Sequence, residues 1–307
     1  MERIRRAVTE NKGAACLLAG AALLLIAAVI LYACGVPQWL LSDGAAEPKG
    51  SHLTAFVADV GQGDCIILTC GGHSMIVDGG EKTSFNKVKE AMLLCGVKTP
   101  DYVAATHSHI DHIGSLAQVI KVKGAGCFLM ADDSVEPGCD SGEYEDLRQI
   151  LAKKKIPCIS PAVGDTFTLG TATVTVLAPT ERCEETNDCS LVLRVDYGTT
   201  SFLLAGDAGK REEQLLLESG ADLDCDVLKV GHHGSRDASS EAFLAAVTPE
   251  TAVISCGENN EYGHPNPETQ DRLGQYAHDV YRTDWSGWVK VCSDGNEITV
   301  QTEKSFQ

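Results

Sequence analysis

The stretch AATHSHIDHIGSLAQVIK, residues 104–121, decides which fold and which chemistry are expected of this chain. It places His107, His109, Asp111 and His112 within six positions, so that three of the 9 histidines among 307 residues lie together. The preceding letters DYVAAT have the pattern of a short buried strand, and the apolar residues that follow recur at helical spacing. The four polar side chains are therefore expected on an exposed connection between a strand and a helix, where side chains converge.

These four residues have the composition of a metal site. His107 and His109 are two positions apart, so in an extended loop they project to the same side and can bind one cation. Asp111 and His112 follow near the start of the helix and can turn toward a second cation. Imidazole nitrogens and carboxylate oxygens are ligands that zinc, manganese and iron accept.

Two later segments carry the same residue types at strand ends. LLAGDAG ends a strand at Asp207, and LKVGHHGS ends another at His232 and His233. A solvated histidine-rich loop would predict no such partners elsewhere in the chain. The three segments together predict a site for divalent cations, because three separated matches are much harder to meet by chance than one.

The order of elements predicts sheets with helices packed outside them. Glycine pairs divide the first segment into three strands, and Ser84 is expected to cap the helix that follows. Later strands and helices alternate, and two strands close the chain. The first segment is LTAFVADVGQGDCIILTCGGHSMIVDGG; the later strands are TATVTVLAP, SLVLRVDYG, SFLLAGD, CDVLKVGHHGS, TAVISCG, GWVKV and EITVQTE; the later helices are REEQLLLESG, SEAFLAAV and PETQDRLGQYA.

The N-terminus carries the pattern of a membrane segment. Residues 1–13 are basic, residues 14–36 are apolar and uncharged, residues 37–51 resemble a linker, and residues 52–307 form the remaining domain. The apolar run is long enough to cross a hydrocarbon core of ~30 Å. Because the basic flank stays in the cytoplasm, the expectation is a single-pass cell-membrane protein with its domain outside. A cleaved signal sequence, or lipoprotein processing at Cys34, gives the same topology.

Composition excludes several classes of protein. The chain has 43 acidic and 25 basic residues and a formal net charge of -18, which disfavours broad non-specific binding of nucleic acid. Its 13 cysteines contain no CxxC pair, so a zinc ribbon or a small disulfide scaffold is not expected.

With these motifs in place, the sequence resembles the metallo-β-lactamase superfamily of hydrolases. The resemblance implies a four-layer αββα sandwich with two divalent metal ions at the edge of the sheets, zinc being favoured and manganese the alternative. The H-x-H-x-D-H motif of that superfamily matches residues 107–112. The resemblance makes Asp207 the carboxylate that bridges both metals and His232 the last histidine, with Asp78 supporting the metal-binding loop from behind. His233 is expected to support the ligands rather than to bind metal.

A narrower resemblance is to the extracellular hydrolase domain of the ComEC family of competence DNA-uptake proteins. It rests on DVGQGDCIIL, NDCSLVL, LLAGD, LKVGHHGS, YGHPNPE and VYRTD, which occur in that order over about residues 52–300. One feature departs from the wider superfamily, because no histidine occurs from 113 to 231 to complete the first metal position. Asn187, Asp188 or Ser190 is an alternative oxygen donor there, and Cys189 could supply sulfur or point into the core. The first metal, with His107, His109 and Asp207, is then expected to bind weakly, whereas the second has Asp111, His112, Asp207 and His232.

The resemblance implies hydrolysis by metal-activated water. Asp111 is expected to orient the nucleophile as well as to bind metal. Lys229 could hold a substrate phosphate or be a strand-end lysine in solvent, and His264 could bind substrate, donate a proton to the leaving group, or simply hydrogen-bond backbone. A phosphodiester, with DNA as one candidate, is the expected substrate. The alternatives are a small phosphocholine-type or other ester, and a catalytically weak binding module of a DNA-uptake machine.

Overall fold

The structure is a computed structural model that describes residues 52–131, 141–180 and 183–304. The predicted basic segment 1–13, membrane segment 14–36 and linker 37–51 lie outside the described residues. Within the described part of the chain, no helix is both long and apolar enough to cross a membrane.

The strands form two mixed sheets. In chain order they are β1 (Leu53–Val57), β2 (Ile66–Cys70), β3 (His73–Val77), β4 (Tyr102–Ala104), β5 (Cys127–Leu129), β6 (Cys158–Ile159), β7 (Thr166–Leu169), β8 (Ala172–Ala178), β9 (Val192–Tyr197), β10 (Thr200–Leu204), β11 (Val227–Lys229), β12 (Thr251–Ile254), β13 (Asp279–Arg282), β14 (Val289–Ser293) and β15 (Ile298–Thr302). The first sheet has the order β15-β14-β1-β2-β3-β4-β5-β6 and the second the order β13-β12-β11-β10-β9-β8-β7. Each sheet is antiparallel in one part and parallel in the other, the parallel parts being β3 to β6 and β10 to β13.

Helices connect the parallel strands. They are α1 (Phe85–Leu94), α2 (Ile110–Ile113), α3 (Leu116–Lys123), α4 (Gly142–Lys154), α5 (Lys210–Ser219), α6 (Glu241–Val247), α7 (Pro267–Tyr276) and α8 (Thr283–Ser286). Ser84 does occupy the N-cap position of α1, but its side chain does not cap the helix. Its hydroxyl donates instead to the carbonyl oxygen of Val60 at 2.6 Å, and so ties the helix to the loop after β1.

Three apolar clusters show how the layers pack. Alternate residues of β1, such as Leu53 and Val57, face the second sheet and pack with Val174 and Val176 of β8. The outer face of the first sheet is covered by α1, α3 and α4, and that of the second sheet by α5, α6 and α7. The predicted sandwich of two sheets between helical layers is therefore confirmed for the described residues.

The fold brings the polar strand ends to one edge of the sandwich. Asp78 follows β3 and the histidine-rich stretch follows β4, its parallel neighbour in the first sheet. Asp207 follows β10 and the histidine pair follows β11, which are parallel neighbours in the second sheet. The carboxyl ends of neighbouring parallel strands lie at the same edge of a sheet, which is where ligand sites form in α/β proteins.

Candidate metal centre

Asp207 lies at the centre of the site. Its carboxylate is buried, and Oδ2 is 3.3 Å from Nε2 of His112 and 3.9 Å from Nε2 of His107. The other oxygen, Oδ1, is 3.5 Å from Nε2 of His233. The two sheets thus meet at one carboxylate, with imidazoles from two different strand ends around it.

Four side chains offer donor atoms that lie within 4.8 Å of one another: Asp111, His112, Asp207 and His233. Several donor atoms in and beside this group are buried and have no hydrogen-bond partner: Nε2 of His112 and His233 and Oδ1 of Asp207 within it, and Nε2 of His107 next to it. A buried polar atom left without a partner costs about 1–3 kcal/mol, so such a cluster calls for an explanation. Converging imidazole nitrogens and carboxylate oxygens fit a divalent cation of the zinc or manganese type.

Asp78 orients His112 from behind. Its Oδ2 accepts a hydrogen bond from Nδ1 of His112 at 2.8 Å, which directs Nε2 of the same ring toward Asp207. The backbone N–H and the hydroxyl of Thr106 donate to the two oxygens of Asp78 at 2.7 and 2.8 Å. Carboxylate–histidine pairs of this kind fix the ring orientation of metal-binding histidines, so the position of Asp78 suits the role that the family resemblance implies for it.

The turn after β11 decides which of the two neighbouring histidines points inward. His232 and His233 both have left-handed backbone angles, with φ values of 48° and 53°. His233 is buried, and its Nδ1 donates to the carbonyl oxygen of Ser255 at 3.0 Å, so Nε2 faces the carboxylates. The sequence prediction made His232 a ligand of the second position and placed His233 behind it. The turn places His233 in the cluster and His232 on its open side.

Lys229 does not lie where the prediction of a phosphate contact requires it. Only 1% of this residue is exposed, and its Nζ is 2.8 Å from Oδ2 of Asp64 and donates to the carbonyl oxygen of Val230. Because the ammonium is buried against a carboxylate, it does not reach the pocket, and the predicted substrate role is corrected to a structural one. Burial alone would raise the pKa of Asp64, but Lys229 and His233 outweigh it and lower that pKa to about 2.

Asp64 links this ion pair to the site. Its Oδ1 is 3.4 Å from Nδ1 of His233, so the GQGD loop supports the ring that approaches Asp207. Neither the contact of Asp64 with His233 nor the place of His233 in the cluster is predicted from the sequence. The doubled histidine and the acidic residue after two glycines were the available signals, but neither shows which ring turns inward.

The charges of the cluster balance one another. Burial alone would lower the pKa of His112, but the carboxylates of Asp207 and Asp78 raise it well above its usual value. Asp207 and Asp64 likewise raise the pKa of His233 against the effect of burial. Burial would raise the pKa of Asp207, but the two imidazoles hold it well below its usual range. The carboxylates therefore favour protonated, positively charged imidazoles at these positions. A divalent cation can supply the same positive charge, and it binds when the ring nitrogens are deprotonated.

A pocket of about 430 Å³ opens from the cluster to solvent. His109, Ile110 and Asp111 line one side, and Asn187 and His232 line another. The carboxylate of Asp111 keeps 24% of its surface exposed, and its Oδ2 is 3.3 Å from Nε2 of His233. A substrate can therefore reach both Asp111 and the floor of the site.

His264 and Tyr262 form the remaining rim. The ring of Tyr262 is 61% exposed and stacks on His264, with 5.6 Å between ring centroids. Burial, with His232 and His233 nearby, lowers the pKa of His264 to about 4, so this imidazole is neutral at pH 7. A neutral ring is suited to contacting substrate, as one of the sequence predictions proposed, and carries no spare proton for a leaving group.

The segment that lacks the expected histidine also borders the site. Ser190 accepts a hydrogen bond from the backbone N–H of Asp207 at 2.9 Å, and Asp188 accepts one from Gly209 at 3.0 Å. Asn187 lines the pocket instead, and its Nδ2 is 3.4 Å from Nε2 of His232. Ser190 also lies behind His107, with 3.3 Å between its Oγ and Nδ1 of that ring. Of the three oxygen donors that the sequence left open, Asn187 is thus the one that lines the pocket.

Comparison with known proteins agrees with this geometry. The family model for the metallo-beta-lactamase superfamily matches residues 58–258. The chain is similar to ComE operon protein 3 of Bacillus subtilis (strain 168), with 30% identity over 251 residues that cover 76% of this chain and 32% of that protein. It is also 30% identical over 234 residues to competence protein ComA of Neisseria gonorrhoeae, covering 75% of this chain and 31% of that one. The chain spans about a third of the length of these curated relatives.

A solved structure supports the fold in the same way. Tm1679, described as a metal-dependent hydrolase of the beta-lactamase superfamily, superposes with a TM-score of 0.50 at 14% sequence identity. The superposition covers 75% of this chain and 95% of that protein, so the two share an architecture over most of the sandwich.

Proposed function

The chain belongs to the metallo-beta-lactamase superfamily, and from this premise we propose that it is a metal-dependent hydrolase of phosphodiesters. The observation that carries the proposal is the convergence of Asp111, His112, Asp207 and His233, whose donor atoms lie within 4.8 Å of one another beneath an open pocket. A carboxylate shared between two groups of imidazoles suits a pair of divalent cations.

Different residues of the chain would hold the cations, orient the attacking water and contact the substrate in such a reaction. Divalent cations, when bound, supply an activated water and stabilise the negative charge that develops on a phosphoryl oxygen. Hydrogen bonds behind the rings fix the direction of each Nε2: Nδ1 of His112 donates to the carboxylate of Asp78, and Nδ1 of His233 donates to the backbone carbonyl oxygen of Ser255. Asp111 stays ionised, because His112 and His233 hold its pKa below its usual range against burial, and its exposed edge accepts a hydrogen bond from the attacking water.

The rim of the pocket gives this hydrolase its contacts with substrate. His264 is neutral at pH 7 and lies beside His232, with 5.5 Å between ring centroids, so it can hydrogen-bond a phosphoryl or leaving-group oxygen. Tyr262 presents an exposed aromatic face next to it, and such faces stack on nucleobases. Because the relatives include a competence protein by name, single-stranded DNA is the phosphodiester that we propose.

The place of action that we propose follows from the N-terminal sequence. The apolar residues 14–36, after a basic segment, suit a membrane anchor that leaves the hydrolase domain outside the cell. A tethered hydrolase at the cell surface would meet DNA before uptake.

A second substrate class is favoured by the charges around the pocket. Within the described residues, the pocket lining contains no lysine or arginine to bind a phosphate chain. The carboxylates of Asp111, Glu261 and Glu81 lie close enough to Tyr262 to raise its pKa, after the effect of partial burial. An aromatic ring among carboxylates suits a quaternary ammonium, so a small phosphocholine-type ester is the alternative substrate.

A hydrolysis panel tests the proposal. The purified chain is assayed with bis-nitrophenyl phosphate, single-stranded DNA and a phosphocholine ester, each with added zinc or manganese. Asp207→Asn is expected to lower kcat/KM by at least about 100-fold, because it removes a charge that the cations require. Asp237→Asn is the matched control, since its carboxylate is 78% exposed and pairs only loosely with Lys210.

Each outcome of the panel distinguishes among the candidates. Turnover of DNA above that of the phosphocholine ester supports the nuclease, and the reverse supports the small-ester hydrolase. A metal-loaded chain that turns over none of the three substrates contradicts the proposed hydrolase and supports the binding module.

A further inference from the structure

We propose that His232 replaces the histidine that the superfamily uses to complete the first metal position, so that the two consecutive histidines of one turn serve two cations. This inference rests on the proposed function, because it assumes that the site holds cations. It differs from the sequence prediction, which gave His232 to the second position and left the first one short of a ligand.

The two rings of the pair approach opposite oxygens of one carboxylate. Nε2 of His233 is 3.5 Å from Oδ1 of Asp207, whereas Nε2 of His232 is 3.8 Å from Oδ2. The same Oδ2 is 3.9 Å from Nε2 of His107, which belongs to the first position, and 3.3 Å from Nε2 of His112, which belongs to the second. Asp111, His112, Asp207 and His233 already bring four donor groups within 4.8 Å of one another. His232 lies outside this set of four and approaches the oxygen that also neighbours His107.

The turn is built to separate the rings. Two consecutive residues other than glycine with left-handed backbone angles cost about 1–3 kcal/mol each, and such strain concentrates at functional sites. The result is a pair of rings 6.1 Å apart with 74° between their planes, one buried and one at the pocket. Gly234 closes the turn, and a Cβ at this position would overlap Pro265, so the loop that carries His264 holds the turn in place.

The neighbouring segment supports the same assignment. In the superfamily the missing histidine comes from the region where this chain has residues 187–190. There the side chains of Asp188 and Ser190 accept hydrogen bonds from Gly209 and Asp207, as described above. Asn187 faces the pocket, and its amide meets Nε2 of His232 at 3.4 Å. The imidazole of His232, which follows β11, thus lies beside the segment from which the superfamily's histidine would come.

Calorimetric titration of the metal-free full chain with zinc chloride tests the inference without using activity. The wild type is expected to bind zinc in two phases. His232→Ala should remove the weaker phase or lower its affinity by at least about 100-fold, while the tighter phase persists. His233→Ala should remove the tighter phase. His278→Ala is the control for loss of an imidazole, because its ring is 85% exposed and lies outside the pocket lining.

Other outcomes overturn the inference. If His232→Ala binds zinc in two phases with unchanged affinities, His232 is not a ligand; if Asn187→Ala alone loses the weaker phase, the amide holds the first position. A wild type that binds one zinc and still hydrolyses substrate overturns the inference but not the proposed function, whereas a wild type that binds no zinc and no manganese overturns both. Thermal unfolding followed by circular dichroism, with His232→Gln as a second variant, establishes that each variant is folded.

Discussion

Single residues at this site act through the groups buried beside them, and Lys229 gives the sharpest example. Its ammonium and the carboxylate of Asp64 are both buried, at 2.8 Å from each other, below the ring of His233. Removing one partner of a buried ion pair leaves the other charge without compensation, which typically costs 3–5 kcal/mol. The position therefore matters for folding even though it does not face the pocket.

We predict that Lys229→Met lowers the free energy of unfolding by about 3–5 kcal/mol, because Asp64 loses its counter-charge. Guanidinium unfolding followed by circular dichroism measures the change. Lys210→Met serves as the control and should stay within about 0.5 kcal/mol of the wild type, since Lys210 is 54% exposed and 3.9 Å from its partner Asp237. A loss below about 1 kcal/mol for Lys229→Met would show that the pair is not buried as described.

Tyr262 provides a prediction about substrate. We expect Tyr262→Ala to raise KM for single-stranded DNA about tenfold, because base–aromatic stacking contributes about 1–3 kcal/mol per base. Tyr262→Phe keeps the ring and should retain the wild-type KM. Steady-state kinetics with a short oligonucleotide checks both variants, and an unchanged KM for Tyr262→Ala would exclude a stacking role.

For single residues, the sequence predicts which residue types form the site, but it does not predict which way each side chain points. The residue types and spacing of His107, His109, Asp111 and His112 suffice to predict a metal site, because the motif is local. The roles of His232 and His233 depend on left-handed backbone angles at both residues, which the residue types at these two positions do not predict. The burial of Lys229, at the end of β11 in the second sheet, depends on Asp64. That residue lies 165 positions earlier in the chain, in the loop between β1 and β2 of the first sheet.

Elements bring the site together through loops rather than through strands. The GQGD loop after β1 joins both halves of the sandwich at the metal centre. The backbone N–H of Asp64 donates to the carbonyl oxygen of Asp111 at 3.2 Å, and the hydroxyl of Ser255 donates to the carbonyl oxygen of Gly63 at 2.7 Å. Gly63 has a φ of +117°, and a Cβ there would overlap the carbonyl oxygen of Asp111.

This contact predicts a difference between two glycines of one loop. Gly63→Ala should lower the free energy of unfolding by about 2–3 kcal/mol and weaken zinc binding, because it adds a steric overlap with Asp111 to the cost of a left-handed alanine. Gly61→Ala is the matched control: its φ is also positive, at +85°, but nothing lies within 4 Å of its Cβ. It should cost about 1 kcal/mol and leave zinc binding intact.

Denaturant unfolding and zinc titration of the two variants check this prediction. Equal losses of stability in both variants, or intact zinc affinity in Gly63→Ala, would contradict the contact between the loop and Asp111.

Elements with strong local patterns could be predicted, and the weaker ones could not. The first three strands follow from apolar runs separated by glycine pairs, and they lie at Leu53–Val57, Ile66–Cys70 and His73–Val77. The helix Gly142–Lys154 escaped prediction because only two of its residues, Leu147 and Leu151, are buried, so its apolar face is narrow. The strand Cys158–Ile159 has two exposed residues and is held by pairing with its neighbour, which leaves no periodic signal.

On the scale of the whole molecule, charge constrains the substrate. The chain has a net charge of -18, and the described pocket lining carries no lysine or arginine. A nuclease of this kind would hold DNA at the metal centre and by stacking, rather than along a basic groove. The order of elements predicted sheets with helices packed outside them, and the family resemblance implied the sandwich. The lining of the pocket depends on tertiary contacts that cannot be read from the sequence.

We therefore predict a weak salt dependence for hydrolysis of single-stranded DNA. Each phosphate contact on a single strand contributes a slope of about −0.7 in a plot of log affinity against log salt concentration, so one or two contacts give a slope no steeper than about −1.5. Kinetics between low and moderate salt measure it, with bis-nitrophenyl phosphate as the control for salt effects on the metal centre. A slope near about −5 would reveal a basic groove that this structure lacks among its described residues.

The most direct test of a metal centre shared between the two sheets is the anomalous X-ray diffraction of crystals grown with zinc, recorded at the zinc absorption edge. We expect anomalous density within about 2.0–2.2 Å of a carboxylate oxygen of Asp207 and of ring nitrogens of His112 and His233. Anomalous density confined to other surfaces, or none at all between these side chains, would contradict this expectation.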